Sequence, residues 1–344
     1  MPYASDSARH DIMYGNMMTS AKLKDWFFLF RPWSYTATLV PFLVAAGLCG
    51  HGHACHWGHW ALGLVSGLFF QSTVNLLNTW GDEKSGVDNV PGAICTTPQV
   101  REGRVSLRAV LVAGLTCAAL ASVLGVALCF YRENDVWRVN VPLLVAGFVG
   151  FLGSTNYSTG IKFKYRGLGV PFVSLLMGPL EIFVALALLD PAFTREIPHL
   201  LLVPPFLLGA ILLVLPIAAL VGVIMHGNDM RDIPTDRAAG IVTLASRLGP
   251  KGALAYYRIC HTLPYGVTLS LMFFFCLRNG TFSPSVSWFL LPLLVLPLSI
   301  KTMSTATRVY RSQPENPPWR GLERASGGIH LLYGTLYALA FALS

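Results

Sequence analysis

Long apolar runs alternate with short polar segments along almost the whole chain. The runs fall at roughly 35–50, 60–80, 106–130, 140–160, 168–189, 200–226, 253–277, 286–303 and 326–343. Several are long enough for the roughly 20 residues that a helix needs to cross a bilayer. Every backbone polar group inside hydrocarbon must be paired, and the runs lack the strict alternation of barrel strands. The pattern therefore predicts an all-α polytopic membrane protein, a bundle of about nine transmembrane helices. Prolines inside the runs, among them Pro204, Pro205, Pro216, Pro264, Pro292 and Pro297, predict kinks. Residues 1–25 are polar and Met-rich with no signal-peptide core, and predict an N-terminal cytoplasmic tail. Trp26–Phe30 followed by Arg31-Pro32-Trp33 predicts an anchor at the membrane interface. Residues 26–344 then read as one transmembrane domain whose first run is retained as a signal anchor.

Composition agrees. With 53% hydrophobic and 12% charged residues the chain is far from a soluble globular protein, in which charge is nearer a quarter. A net charge of +8 raises a nucleic-acid partner as a possibility, but the basic residues track the ends of the apolar runs, and a lipid bilayer explains them better. Lysines and arginines crowd alternate connections, whereas only Arg132, Arg138, Arg195 and Arg278 fall on the opposite set. The positive-inside rule then places the N-terminus in the cytoplasm and the C-terminus on the far side. The absence of a transit-like N-terminus favours a bacterial inner membrane. Seven cysteines are scattered, odd in number and without a C-x-x-C pair, so no disulfide framework is expected.

The candidate chemistry lies at the ends of two runs on the cytoplasmic side. Asn228-Asp229-Met230-Arg231-Asp232-Ile233-Pro234-Thr235-Asp236 puts three aspartates at i, i+3 and i+7, one face of a helix. Like charges at that spacing repel by roughly 0.2–0.5 kcal/mol per pair on an exposed helix, and more where water is scarce. A cation is the natural remedy, and hard oxygen donors suit Mg²⁺ or Ca²⁺. In the second segment Asn75, Asn78 and Asp82 repeat the i, i+3, i+7 spacing, and Asp88 follows. Two oxygen-rich half-sites on one membrane face suit a shared metal–diphosphate site; the bland alternative is a pair of solvated loops.

Three further features stand out. Lys162-Phe163-Lys164-Tyr165-Arg166 follows the fourth run on the same side, as a diphosphate contact, a topology determinant, or both. His51-Gly52-His53-Ala54-Cys55-His56-Trp57-Gly58-His59 carries transition-metal donor types, but a polar far-side turn with an interfacial Trp accounts for it better. Glu181 falls inside an apolar run, where acids are functional candidates by default. No role is assigned to it from sequence.

The two acidic segments together resemble the UbiA superfamily of intramembrane prenyltransferases. Asn78, Asp82 and Asp88 match that family's first motif, and Asp232 and Asp236 match its Asp-x-x-x-Asp motif. The longer gap between Asp82 and Asp88, and Asp236-Arg237-Ala238-Ala239-Gly240-Ile241-Val242-Thr243-Leu244, are similar to the menaquinone-type branch; Arg31-Pro32-Trp33-Ser34 and Phe163-Lys164-Tyr165 look like stretches of its vertebrate member. The resemblance implies Mg²⁺-dependent transfer of a polyprenyl group from a prenyl diphosphate to an aromatic acceptor, with 1,4-dihydroxy-2-naphthoate first among acceptors. On that basis Asp82, Asp88, Asp232 and Asp236 are candidate catalytic residues. Asn78, Asn228 and Asp229 join those four as candidate metal ligands. Arg31, Asn75, Lys84, Tyr157, Lys162, Lys164 and Arg231 are candidate substrate contacts. The chain departs from the pattern at Leu168-Gly169-Val170-Pro171, where an acidic residue is usual, and in Asn89–Val100, which lacks a basic residue. Both changes bear on acceptor identity, so 4-hydroxybenzoate, homogentisate, haem or chlorophyllide stay open as acceptors. A cation-coupled transporter and a non-catalytic lipid-binding scaffold are the rival classes. Span-end rather than midplane aspartates weigh against the first, and intact motif aspartates against the second.

Overall fold

The apolar runs become helices because lipid offers the backbone no partners, and each run carries enough Leu, Ala and Val to make a helix with apolar flanks. A computed structural model of the protein describes residues 22–49, 55–85, 97–133, 135–157, 160–191, 193, 203–238, 240–279 and 284–344. The first span joins α1 (22–30) to α2 (Thr36–Cys49) through a 3₁₀ turn at Pro32–Tyr35. Then follow α3 (Trp57–Ser85), α4 (Leu107–Leu128), α5 (Val141–Thr155) and α6 (Gly169–Leu189). The last four are α7 (Pro204–Ala238), α8 (Leu244–Asn279), α9 (Ser285–Ser312) and α10 (Leu322–Leu343). Eight of these spans are long and apolar enough to cross a membrane, and the ninth expected one, α5, is a shorter apolar helix.

The expected prolines act unequally. Pro216 sits inside an unbroken α7, whereas Pro292 lies in a 3₁₀ stretch, Trp288–Val295, within α9. Between α4 and α5 the chain forms a two-stranded hairpin, β1 (Phe130–Glu133) paired antiparallel with β2 (Val136–Val139), which the hydropathy pattern does not predict.

Helix α3 packs along α4, α7 along α8, and α10 against α2 and α7. The largest buried cluster joins α2, α6, α7, α8, α9 and α10 through Val40, Ile182, Ile217, Tyr265, Phe289 and Tyr333. Large apolar side chains such as Leu115, Val123 and Phe148 remain exposed on α4 and α5, as a lipid-facing surface requires.

One expectation about cysteine is corrected. Cys49 and Cys55 form a disulfide, because the end of α2 and the start of α3 lie close together, with the two Cα atoms 6.6 Å apart. Cys117, Cys129, Cys260 and Cys276 are free thiols. Cys95, His51 and His53 lie outside the described residues; His56 and His59 stack edge-on with ring centroids 5.5 Å apart.

Candidate active site

Helix α7 does not stop where its apolar run ends near Met225; it continues through the aspartates to Ala238, so the stretch expected as a connection is helical. At 1.5 Å per residue its 35 residues span about 52 Å, well beyond the roughly 30 Å of hydrocarbon. The helical spacing then sorts its faces. Asn228, Asp229, Asp232 and Asp236 look into a cavity, while Met230 and Ile233 are buried in the core behind. Across the cavity, α3 presents Asn75, Asn78 and Asp82. The two half-sites thus share one chamber of about 780 Å³.

Asp82 and Asp236 sit in the last turns of their helices, where the backbone dipole disfavours negative charge. Cations compensate. Lys164 Nζ lies 3.0 Å from Asp82 Oδ2, and the Tyr165 hydroxyl donates to Asp82 Oδ1. Arg231 grips Asp232 with two hydrogen bonds of 2.7 Å, and its third nitrogen reaches Glu323 at 3.4 Å. Glu323 comes close because Gly227 has no side chain; a Cβ there would approach the Glu323 backbone nitrogen to 3.0 Å. Asp236, nearly buried, accepts a hydrogen bond from Thr243 at 3.2 Å.

The segment carrying Lys164 folds back beside α5. Lys164 donates its backbone N–H to Tyr157 (3.0 Å), and a parallel bridge pairs Arg166 with Val242. Burial alone would lower the Lys164 ammonium, but Asp82, Tyr165 and Tyr157 together outweigh it, and the net shift is upward. Burial, reinforced by the Asp229 charge, pushes the Tyr157 phenol up, so it remains protonated with its hydroxyl unpaired.

The remaining candidates divide. Arg31 lines the chamber and donates to Thr79 at 3.3 Å. Asn75 borders it too, but its amide donates to Phe30 O (2.8 Å) and Ser34 Oγ (2.9 Å), so it fastens the first span to α3. Lys84 and Lys162 are not brought to the chamber. Lys84 is two positions past Asp82, on another helix face, and rests over the Trp80 ring at 4.6 Å. Lys162 takes a positive φ of 57° ahead of the Phe163–Tyr165 turn and is exposed. Asp88 lies outside the described residues. Sequence reasoning missed Trp33, Arg320, Glu323 and Arg324, which complete the chamber's wall. The Arg324 guanidinium stands 5.5 Å from the Trp33 ring centroid.

Among the described residues no three carboxylate, imidazole or thiol groups converge as a preformed metal cage. The donors nevertheless fit Mg²⁺, which is held by one or two carboxylates with substrate phosphates completing its shell. They are all oxygen, and Asn78 Oδ1 is buried without a hydrogen-bond partner at the chamber wall. A second chamber, about 410 Å³ and almost wholly apolar, adjoins the first. Val74, Tyr157, Val173 and Met177 belong to both walls.

A polar chamber with opposed acidic helices opening onto an apolar one is the form of site that a lipid diphosphate requires, and comparison with known proteins gives it a family. The chain is 28% identical to human UbiA prenyltransferase domain-containing protein 1 over 317 residues, covering 91% of this chain and 82% of that one. It is 29% identical over 335 residues to the Drosophila melanogaster homolog, covering 94% and 80%. Its fold matches that of a UbiA homolog from Archaeoglobus fulgidus bound to GPP and Mg2+, with a TM-score of 0.55, 17% identity, and 92% and 99% of the two chains covered. The sequence profile of the UbiA prenyltransferase family matches residues 38–322, and the chain belongs to that family as a membrane-embedded prenyltransferase.

Proposed function

We propose that the enzyme transfers a polyprenyl group from a prenyl diphosphate to an aromatic acceptor, with 1,4-dihydroxy-2-naphthoate as the acceptor. The observation that carries this reading is the junction of the two chambers: acidic half-sites on α3 and α7 face one cavity, and an apolar cavity continues from it. The diphosphate lies between Asn78, Asp82, Asn228, Asp229, Asp232 and Asp236, and the isoprenoid tail enters the apolar chamber. Mg²⁺, held by those carboxylates, would supply Lewis-acid stabilisation of the charge that grows on the leaving diphosphate. The solved relative bound to GPP and Mg2+ carries both on the same fold.

The protein's own groups do the rest. Lys164, Arg231 and Arg31 border the chamber and aim positive charge at departing phosphate oxygens. Lys164 and Arg231 are paired with Asp82 and Asp232, carboxylates that would hold the cation, and would then turn their charge to the diphosphate. Tyr157, at the neck between chambers, flanks the reacting carbon. The apolar walls keep water from an allylic cation. The carbon–oxygen bond breaks with its electron pair leaving on diphosphate. A carbon–carbon bond to the ring forms, and the naphthoate carboxylate departs as carbon dioxide. Trp33 with Arg324 over its ring offers an aromatic and cationic wall suited to an acidic aromatic ring.

Residues 26–344 act in this reading as one catalytic domain, with the site on the cytoplasmic face. The Cys49–Cys55 bond, at the opposite end of α3, supports that orientation, since disulfides persist on the oxidising side. The expectation of a bacterial inner membrane draws no support from the named relatives, which are animal proteins.

The test is an assay of detergent-purified protein with geranylgeranyl diphosphate and 1,4-dihydroxy-2-naphthoate, read by mass spectrometry with Mg²⁺ or with EDTA. Prenylated naphthoquinone that requires the metal supports the whole reading. Metal-dependent diphosphate release without that product moves the acceptor elsewhere. No binding or turnover of any prenyl diphosphate by folded protein sinks it.

A further inference from the structure

Glu181 is the one charged residue among the described side chains that line the apolar chamber. Its Oε2 is buried with no hydrogen-bond partner. Two local features put it there. Helix α6 makes a π-turn at Leu176–Leu180, with Pro179 inside it, and Glu181 is the next residue. Such turns insert a residue, rotate the side chains C-terminal to it, and cluster at functional sites. Opposite, α3 carries Gly67, where a Cβ would reach the Thr38 methyl at 2.8 Å and Glu181 Oε1 at 3.6 Å. The missing side chain leaves room for the Thr38 methyl and lets the carboxyl lie against α3.

The position along the chamber is informative. Gly67 lies about 10 Å along α3 from Val74 at the neck, taking 1.5 Å per residue. The chamber then continues for about another 10 Å of α6, as far as Leu188. Glu181 therefore divides a near half, walled by Val74, Phe172 and Met177, from a far half walled by Gly63, Cys129 and Leu188.

We propose that Glu181 is a chain-length checkpoint, a specificity-determining residue whose carboxyl a prenyl tail must pass to enter the far half of the chamber. The proposal rests on the prenyl-transfer reading above. A tail that stops in the near half leaves the chamber-facing edge of the carboxyl uncovered. A longer tail lays hydrocarbon against that carboxyl, which is costly. The far half is thus available in volume and penalised in chemistry.

The experiment compares kcat/KM for geranyl, farnesyl, geranylgeranyl and longer polyprenyl diphosphates in the wild type, Glu181→Leu and Leu188→Trp. Glu181→Leu should raise the long-over-geranyl ratio on the order of tenfold, the scale of one relieved desolvation. Leu188→Trp, which fills the far half, should lower the same ratio and spare geranyl. An unchanged ratio in either variant that still transfers geranyl overturns the proposal, since the tail then leaves the chamber before Glu181. If Glu181→Leu fails to fold, Leu188→Trp decides alone. Absence of transfer by the wild type with every diphosphate would instead be a failure of the prenyl-transfer reading.

Discussion

The two acidic half-sites are similar in sequence and differ in how they are held. On α3, Asp82 is restrained from outside, by Lys164 and Tyr165 on the segment after α5. On α7, Asp232 is held by its own neighbour Arg231, and Arg231 is pinned to Glu323 at the start of α10. The first clamp belongs to the connection between α5 and α6. The second is built into the packing of α7 on α10. The difference predicts that the α3 half adapts to the diphosphate, while the α7 half is a rigid template.

Removing a carboxylate from either half should have the largest effect. Asp82→Ala and Asp232→Ala should each lower kcat/KM by about 100-fold or more, as removal of transition-state charge stabilisation does. A steady-state assay at saturating Mg²⁺ checks this, and near-normal turnover by either variant would dissolve the pairing of the halves.

The clamps themselves sharpen the contrast. Arg231→Ala leaves Asp232 and Glu323 without their cation and should destabilise the protein by about 2 kcal/mol. That is below the full buried-pair cost, because Asp232 is a third exposed. Lys164→Ala should instead raise KM for the diphosphate about tenfold, the scale of a lost charge-assisted hydrogen bond, with a smaller change in melting temperature. Equal melting shifts in the two variants would erase the distinction between template and adaptable half.

The smallest effect concerns pH. The Lys164 pKa is raised above its ordinary value, so stability from its pair with Asp82 is complete below the unfolded-lysine value of about 10.4 and is lost only as pH climbs past the folded one. The melting difference between wild type and Lys164→Met should therefore stay flat from pH 7 to 9. A steady decline across that window would mean the ammonium is not held as described.

Much of the site was legible because helix periodicity is local. Asn78 and Asp82, and likewise Asn228, Asp232 and Asp236, needed nothing beyond i, i+3/i+4 spacing to share a face. Lys84 and Lys162 fall away from the chamber, because a count of charges near a membrane face does not say which way each points. Trp33, Arg320, Glu323 and Arg324 were invisible for a different reason: they reach the chamber through the packing of the first and last spans. The Cys49–Cys55 bond likewise depends on where two helix ends meet, which spacing alone does not reveal.

That packing also bears on how the protein is made. A Cβ on Gly47 would run into the Ala338 carbonyl, and one on Gly334 into Val40, so α2 and α10 lie in close backbone contact. They are nearly the two extremes of the chain. During synthesis the first span therefore waits without its principal neighbour until the last one emerges, a contact of very high sequence separation. Until then Arg324 and Glu323 are absent from the wall. A ribosome-bound chain ending before Leu322 lacks the main neighbour of α2 and the Glu323 partner of Arg231.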